Sequence, residues 1–275
     1  MDKKKLPFVI QLLDDEEEEV RNELFSQLGL YDGNLEEDLA EYSNLISNSK
    51  LELIEPLLKK SRMDWLRQNW KKWIEIENEY IKLESAINFI NIFQIGLINN
   101  KLSFQKQLDE FGNEFRELHP SGNEFDLAFF LFNKKGLTGN TDDYFNPINS
   151  NASLTIENKN GLPITLCIIY MLVGYRLGME IKGCNFPGHF ISQVEFENKK
   201  YFIDCFNGGK TLTTKDLEEL LQDSFLELGS VLEKETTTNS IVRRVIRNLI
   251  NAYKIKRDEV NYSFVSELLL LTPII

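Results

Sequence analysis

The stretch from Pro163 to Leu177 is the strongest helix signal in the chain, and it constrains the fold most. Proline suits the first turn of a helix, and Gly178 stands where the helix would end. Strand patterns follow at about 180–184, 189–196 and 201–205. Residues 197–200 read Glu-Asn-Lys-Lys and predict a turn, so we expect the last two strands to form an antiparallel hairpin.

Helical periodicity dominates on both sides of this segment. Residues 1–115 read as helices, with a continuous pattern at 54–100 and an amphipathic helix at 104–118. Residues 119–162 are rich in Asn, Gly, Asp and Ser and predict mostly loop, with a short helix at 126–132. Further helices are expected at 214–222, 240–256 and 259–271. We therefore predict a helical N-terminal region (1–118), a core (119–212) and C-terminal helices that pack on it (213–275).

Composition and charge exclude several classes of protein. With 275 residues, 42% of them hydrophobic, the chain can bury a core and is not disordered throughout. Its net charge of −12 repels a phosphate backbone, so we expect no nucleic-acid partner. No apolar run is long enough to cross a bilayer, and the start at Met1–Pro7 lacks the apolar stretch of a secretory signal. We therefore expect no membrane association and a cytoplasmic location.

Cysteine and histidine are scarce, which limits metal and redox chemistry. Cys167, Cys184 and Cys205 show no CxxC spacing, which argues against a zinc site or a disulfide framework. The only histidines are His119 and His189, and His119 is interpreted as a surface or capping residue at a domain junction. We expect no metal and no cofactor.

His189 and Asp204 are the candidate catalytic pair. They lie 15 residues apart on what we predict to be neighbouring strands of the hairpin. A histidine held by an aspartate is the orienting half of a Cys-His-Asp triad. The nucleophile of such a site sits at a helix N-terminus, where the helix dipole stabilises a thiolate. The helix that begins after Gly161 is in the right place.

Several motifs carry a family resemblance. They are Gly139–Ser150 (GNTDDYFNPINS), Asn160–Leu166 (NGLPITL), Arg176-Leu177-Gly178, Pro187–Phe190 (PGHF) and Phe202–Gly209 (FIDCFNGG). Together with the helix from Ile241 to Tyr253, they resemble the SirB-type branch of the transglutaminase-like superfamily. The resemblance covers about residues 120–272 well and 1–119 loosely. It implies an α+β, papain-like core in which a central helix packs against an antiparallel sheet.

The resemblance also implies roles for individual residues. His189 and Asp204 match the catalytic His and Asp of the superfamily, but Pro163 stands where active members have the cysteine. The branch commonly has Gly-Ile-Pro there, so this departure is shared by the branch. Cys167 lies one turn further along the helix, about 6 Å from the expected thiol position. Its apolar neighbours indicate a structural thiol, and its use as a nucleophile is the alternative.

The remaining candidate residues surround the start of this helix. Tyr144, Asn149 and Ser150 belong to a loop whose Asn-Pro and Asn-Ser pairs build turns, and the same loop could form one wall of a cleft. Pro163 and Thr165 open the helix, although Thr165 points about 200° away from Pro163. Gly188 lets the chain bend toward the helix end beside His189.

We therefore predict a catalytically degenerate binding or regulatory module that keeps the His–Asp pair, lacks the usual cysteine and takes a protein partner. Two alternatives stay open. One is an amide-acting hydrolase or acyltransferase of cysteine-protease type that uses Cys167, His189 and Asp204. The other is a structural scaffold whose cleft is vestigial. The residues leave the partner and the oligomeric state open.

Overall fold

The computed structural model describes residues 1–98, 102–221, 227–234 and 236–274. The ends of the predicted helices 54–100 and 214–222 lie outside these ranges. The chain divides into two compact units, one of residues 1–70 and 89–101 and the other of residues 71–88 and 102–275. We call them unit 1 and unit 2. No helix in the described ranges is both long and apolar enough to cross a membrane.

Unit 1 is helical. Its helices are α1 (Leu6–Leu12), α2 (Glu18–Gly29), α3 (Leu35–Ala40), α4 (Asn48–Asn69) and the second half of α5 (Glu79–Ile95). Apolar side chains from α1 to α4 form a buried core that includes Leu6, Ile10, Leu39 and Leu58. The predicted helical pattern at 54–100 is therefore correct in type, but it is broken between α4 and α5 by a short 3-10 helix, Trp70–Glu75.

Unit 2 combines helices with two small sheets. Its further helices are α6 (Phe104–Leu118), α7 (Glu124–Phe129), α8 (Ala152–Asn158), α9 (Pro163–Arg176), α10 (Thr214–Leu220), α11 (Leu228–Glu233), α12 (Thr238–Lys256) and α13 (Glu259–Leu271). Its strands are β1 (Thr138–Gly139), β2 (Asn160–Gly161), β3 (Ile181–Cys184), β4 (Ile191–Phe196), β5 (Lys199–Asp204) and β6 (Lys210–Leu212).

Helix α9 is the centre of unit 2. Every residue from Pro163 to Gly174 is buried, which explains why the sequence there is apolar all round. The helix is packed by α6, α7, α8 and α12 and by strands β3 and β4. It begins with proline at a first-turn position, as predicted, and it ends at Arg176, two residues before Gly178, whose φ of +76° is left-handed as expected after a helix C-cap.

The larger sheet has the antiparallel order β3-β4-β5-β6, and this confirms the predicted hairpin. Strands β4 and β5 pair with Ser192 opposite Ile203 and Phe196 opposite Lys199. Glu197 and Asn198 both have positive φ, as a two-residue hairpin turn requires. The α+β arrangement of a central helix against a small antiparallel sheet is the predicted fold class.

The structure differs from the sequence prediction between residues 119 and 162. The prediction was mostly loop, but residues 152–158 form α8, and β1 and β2 pair in parallel. Asn151 caps α8 by accepting a hydrogen bond from Leu154 N, whereas Asn149 and Ser150 lie in the 3-10 turn Pro147–Ser150, as the turn chemistry of that stretch indicated.

Candidate functional site

His189 lies in the turn before β4 and not on the strand, where the sequence had placed it. Its backbone N donates to the carbonyl of Phe186 at 3.3 Å, which closes the turn. Gly188 supports this turn with a φ of +70°, a conformation that a side chain would strain. The turn therefore sets the imidazole beside the end of β5.

The structure brings His189 and Asp204 together. Nε2 of His189 lies 3.0 Å from Oδ1 of Asp204, at ion-pair distance but without the alignment of a good hydrogen bond. The side chains are 13% and 4% exposed. Since Nε2 faces the carboxylate, Nδ1 is the ring nitrogen left for other partners. In the described ranges no side chain or backbone group hydrogen-bonds to it.

Asp204 is fixed by its own turn at the end of β5. Its Oδ1 accepts hydrogen bonds from the backbone N of Phe206 and Asn207 at 3.1 and 3.2 Å. Its Oδ2 accepts one from Asn207 Nδ2 at 2.7 Å. Burial raises the pKa of Asp204, but His189 and the Asn207 groups outweigh burial, and the net pKa lies below the usual value. Asp204 is thus held as a carboxylate that faces His189.

Two aromatic rings continue the surface beside His189. The ring of Phe206 stands edge-on to the imidazole, with centroids 6.2 Å apart, and the ring of Tyr144 lies 6.1 Å from that of Phe206. Gly139 donates its backbone N–H to Phe206 O at 3.1 Å, and the missing side chain leaves room for the Phe206 ring. Tyr144 is therefore connected to His189 through Phe206.

The start of α9 is tied to the preceding loop by Asn149. Its carbonyl accepts from Leu162 N at 3.2 Å and from Thr165 Oγ1 at 2.9 Å. Its side-chain amide donates to the carbonyls of Asp143 and Tyr144 at 2.7 and 3.1 Å. Asn149 and Thr165 are buried, and their contacts hold the loop against the helix.

Ser150 and Pro163 are also buried at this helix start. Ser150 Oγ has no hydrogen-bond partner among the described residues. The residue before α9, Leu162, makes no side-chain cap, and Pro163 brings no N–H group. The residue that opens the helix therefore brings neither a nucleophile nor the backbone donor that would help to cradle an anion.

All three cysteines are free thiols, and all three are buried. Cys167 is fully enclosed, and its Sγ donates to the carbonyl of Phe190 at 3.5 Å. Cys205 contacts Cys167 and Ser192, and burial raises its pKa well above the usual value. Burial likewise raises the pKa of Cys184 to about 12. In the described part of the chain no thiol hydrogen-bonds to His189.

Arg244 on α12 is a site residue that the sequence prediction missed. Its Nη1 donates to Phe186 O at 2.9 Å and to Asn185 Oδ1, and its Nη2 donates to His189 O at 2.8 Å. The guanidinium also lies 5.4 Å from the centroid of the Phe190 ring. Arg244 thus holds the turn that carries His189, and we call His189, Asp204, Phe206, Tyr144 and Arg244 the His189 site.

A signal for Arg244 was present in the sequence but was weak. Ile241, Val245 and Leu249 recur at helical spacing and predict the buried face of α12. Arg244 borders that face, three residues after Ile241, but periodicity alone does not say which turn a bordering arginine will reach. His119, in contrast, stacks on the ring of Phe115 with centroids 5.1 Å apart and takes no part in the His189 site.

Metal binding finds no support in these contacts. Among the described residues no group of three or more His, Cys, Asp and Glu side chains is arranged to hold a metal ion. The arrangement of the His189 site can orient an imidazole and offer it a proton acceptor in Asp204.

Comparison with known proteins agrees with this geometry. A family model described as "Transglutaminase-like superfamily" matches residues 103–247, which include α6, α9, the sheet and most of the first half of α12. No solved structure gives a significant match.

Curated relatives match half of this chain or somewhat less. A UPF0162 protein of Xylella fastidiosa (strain Temecula1) is 34% identical over 133 residues, which are 45% of this chain and 46% of that protein. A UPF0162 protein of Pseudomonas aeruginosa is 29% identical over 42% of this chain and 43% of its own length. F-box only protein 21 of Mus musculus is 25% identical over 50% of this chain and 22% of its own length. The chain therefore spans about half the length of the bacterial relatives and less of the mouse protein.

Proposed function

Because the chain belongs to the transglutaminase-like superfamily, we propose that it is a SirB-type member that binds a protein segment at the His189 site and performs no cysteine chemistry. In this proposal His189 and Asp204 are a retained pair that orients a ligand. Pro163, Thr165, Asn149, Ser150 and Gly188 shape the site, and Tyr144 faces the ligand.

The observation that carries the proposal is the lack of a usable nucleophile at the start of α9. A thiol or hydroxyl nucleophile must come within hydrogen-bond reach of its base. Pro163 offers neither group, and Cys167 is fully buried and bonded to the carbonyl of Phe190. A thiol enclosed in this way is a poor nucleophile, because reactive thiols are partly exposed and sit in electropositive surroundings.

Exposed apolar side chains next to the site support the binding role. Tyr144, Phe145 and Ile148 are 36%, 45% and 45% exposed, on the loop that leads to α8. Tyr144 and Phe145 also contact each other edge-on, with centroids 5.3 Å apart. Aromatic residues are enriched at the centres of protein–protein interfaces, where they supply rigid contact area.

Alkylation of the native protein tests the absence of cysteine chemistry. Iodoacetamide labelling is followed residue by residue by mass spectrometry, in the wild type and in His189→Ala. We expect Cys167 to be labelled only after unfolding, at the same rate in both proteins. Fast labelling of native Cys167 that His189→Ala abolishes would overturn the proposal in favour of an amide-acting hydrolase or acyltransferase using Cys167, His189 and Asp204.

Peptide selection tests the binding role. The full chain is panned against a displayed random-peptide library, and the selected peptides are measured with Phe145→Glu and with Phe129→Glu. Phe129 is 52% exposed on α7 and serves as the matched control. We expect Phe145→Glu to weaken binding about tenfold or more, as for an aromatic interface residue, and Phe129→Glu to leave it unchanged. Selected peptides that bind Phe145→Glu as tightly as the wild type would contradict the proposed site.

A further inference from the structure

Arg244 is a half-buried cation without a carboxylate partner. Its acceptors are two backbone carbonyls and the Asn185 amide oxygen, and in the described ranges it forms no ion pair with Asp or Glu. The titratable groups that face it are Tyr144, Cys167 and Cys184. Burial lowers its pKa, as expected for a charge removed from water without a counter-ion. This is unusual, because buried charges are normally paired.

Part of the guanidinium remains open for hydrogen bonding. Arginine has five N–H donors. Nη1 and Nη2 donate to these three acceptors, whereas Nε–H has no acceptor among the described residues. Nε and Nη2 form one edge of the planar group, and two parallel donors on one edge match the two oxygens of a carboxylate.

The groups around this edge favour an anion with an apolar neighbour. Tyr144 belongs to the His189 site, where its ring lies 6.1 Å from that of Phe206, and the positive charge of Arg244 opposes the rise that burial causes in the pKa of Tyr144. In the described chain that hydroxyl has no hydrogen-bond partner. The nearby carboxylates are already engaged, since Asp204 faces His189 and Asp143 pairs with Lys256 at 3.1 Å.

We propose that Arg244 binds a carboxylate of the peptide ligand, with the Tyr144 hydroxyl as an additional donor and the exposed ring of Phe145 against an adjacent apolar side chain. This inference rests on the proposed function and names the chemistry that the site recognises. The carboxylate is either the C-terminus of the ligand or an acidic side chain beside an aromatic residue.

Titration of the imidazole signals of the full chain tests this proposal. The sequence has two histidines, so His119→Gln assigns the two sets of signals in histidine-labelled protein. The probes are N-acetylphenylalanine, N-acetyl-aspartyl-phenylalaninamide and, without a carboxylate, N-acetylphenylalaninamide. We expect a saturable shift of the His189 signals with one or both carboxylate probes and at least tenfold weaker binding of the neutral amide. The carboxylate probe that binds more tightly shows whether the site recognises a C-terminal carboxylate or an acidic side chain.

Variants decide whether Arg244 is responsible. Arg244→Gln should weaken the carboxylate probes about tenfold or more and the neutral amide much less, because the amide loses only the support that Arg244 gives to the turn of His189. Arg247→Gln, an exposed arginine on the same helix, is the matched control and should change nothing. If Arg244→Gln does not fold, Tyr144→Phe is the deciding variant, because it removes one donor without touching the turn of His189. It should weaken the carboxylate probes severalfold.

The outcomes separate this inference from the proposed function. Equal binding of the neutral amide and the carboxylate probes would overturn carboxylate recognition and leave a peptide-binding site in place. Carboxylate binding that is unchanged in Arg244→Gln, or in Tyr144→Phe when the first variant is unfolded, would also overturn it. If no probe shifts the His189 signals, carboxylate recognition at this site is wrong, and the peptide selection with Phe145→Glu still decides the binding role by itself.

Discussion

Each unit of the molecule contains a buried carboxylate paired with a basic side chain, and the two pairs differ in what surrounds them. In unit 1, Arg62 Nη1 lies 3.1 Å from Glu36 Oε2, and the two side chains are 3% and 4% exposed. The other Glu36 oxygen accepts from Leu97 N at 2.8 Å, and Arg62 Nη2 also pairs with Glu55. In unit 2, His189 is 13% exposed and uses only one ring nitrogen toward Asp204.

The difference separates a structural pair from a site. The Glu36–Arg62 pair is closed, because both Glu36 oxygens and both terminal nitrogens of Arg62 have partners in the same unit, and only Arg62 Nε has none among the described residues. The His189–Asp204 pair is closed on the Asp204 side, where the turn of Phe206 and Asn207 satisfies the carboxylate, and open at Nδ1. A closed pair leaves little for a ligand to bind, whereas an open one can meet a ligand.

The largest effect should come from breaking the closed pair. Arg62→Leu leaves Glu36 buried without its partner, which should cost about 3–5 kcal/mol of unfolding free energy. Urea denaturation followed by tryptophan fluorescence measures it. Arg67→Ala, in an exposed pair with Asp64 on the same helix, is the control and should change stability by about 0.5 kcal/mol or less. A loss below about 1 kcal/mol in Arg62→Leu would mean that the pair is not closed.

The loss in Arg62→Leu should also depend on pH. Burial raises the pKa of Glu36, and Arg62 opposes that rise. A raised pKa means that the stability gained from protonation is present at low pH and is lost as the pH rises through the folded value. Without Arg62, Glu36 takes up a proton more readily in acid, so the variant should be less destabilised at pH 4 than at pH 7.

The next prediction tests whether Nδ1 of His189 can interact with a group at the start of α9. Pro163→Cys puts a thiol at the start of α9, where the helix dipole and His189 should lower its pKa. Because position 163 is buried, the readout is ultraviolet thiolate absorbance, which needs no reagent to enter the site. We expect a larger thiolate signal at pH 6 than a free thiol gives, and the added His189→Ala change to remove the excess. An equal signal with and without His189 would show that His189 does not face the helix start.

A smaller effect is expected at the loop that borders the open pair. Thr165→Val removes a buried hydroxyl that donates to Asn149 O at 2.9 Å, which should cost about 1–2 kcal/mol. Peptide binding should keep its affinity, because Thr165 is buried and holds the loop from behind. Chemical denaturation measures the change in unfolding free energy, and peptide titration measures the change in affinity. A large loss of affinity at unchanged stability would place Thr165 in contact with the ligand.

The smallest effect concerns the pH dependence of the open pair. The pKa of Asp204 is lowered, so its contribution to stability is present above the unfolded value of about 3.9 and is lost as the pH falls through the folded value. Asp204→Asn has no ionisable group at this position, so it lacks this contribution at every pH. The difference in unfolding free energy between the wild type and Asp204→Asn should therefore shrink from pH 7 to pH 3. A difference that stays constant over this range would mean that Asp204 is not held as a carboxylate.

Local signals in the sequence determined most of the elements of unit 2. The limits of α9, the β4–β5 hairpin, α12 and α13 follow from proline and glycine positions and from apolar periodicity, which act within a few residues along the chain. The proximity of His189 and Asp204 was expected only from the family resemblance, because the register of the hairpin, which sets the residues that lie side by side, could not be determined from the sequence. Helix α8 was missed because the residues at its start are also typical of turns, and the sequence alone does not show that α9 packs against this segment.

Only the tertiary structure decided which polar side chains have their hydrogen-bond partners within the protein and which remain available to a ligand. The burial of Cys167 depends on the sheet that covers α9, and its acceptor, Phe190 O, is 23 residues away. The contacts of Arg244 with Phe186 and His189 span 58 and 55 residues. Periodicity specifies the face of a helix but not the turn of another element that a long side chain will reach. That choice is made when α12 packs in unit 2, because only then does the guanidinium meet the carbonyls that hold it.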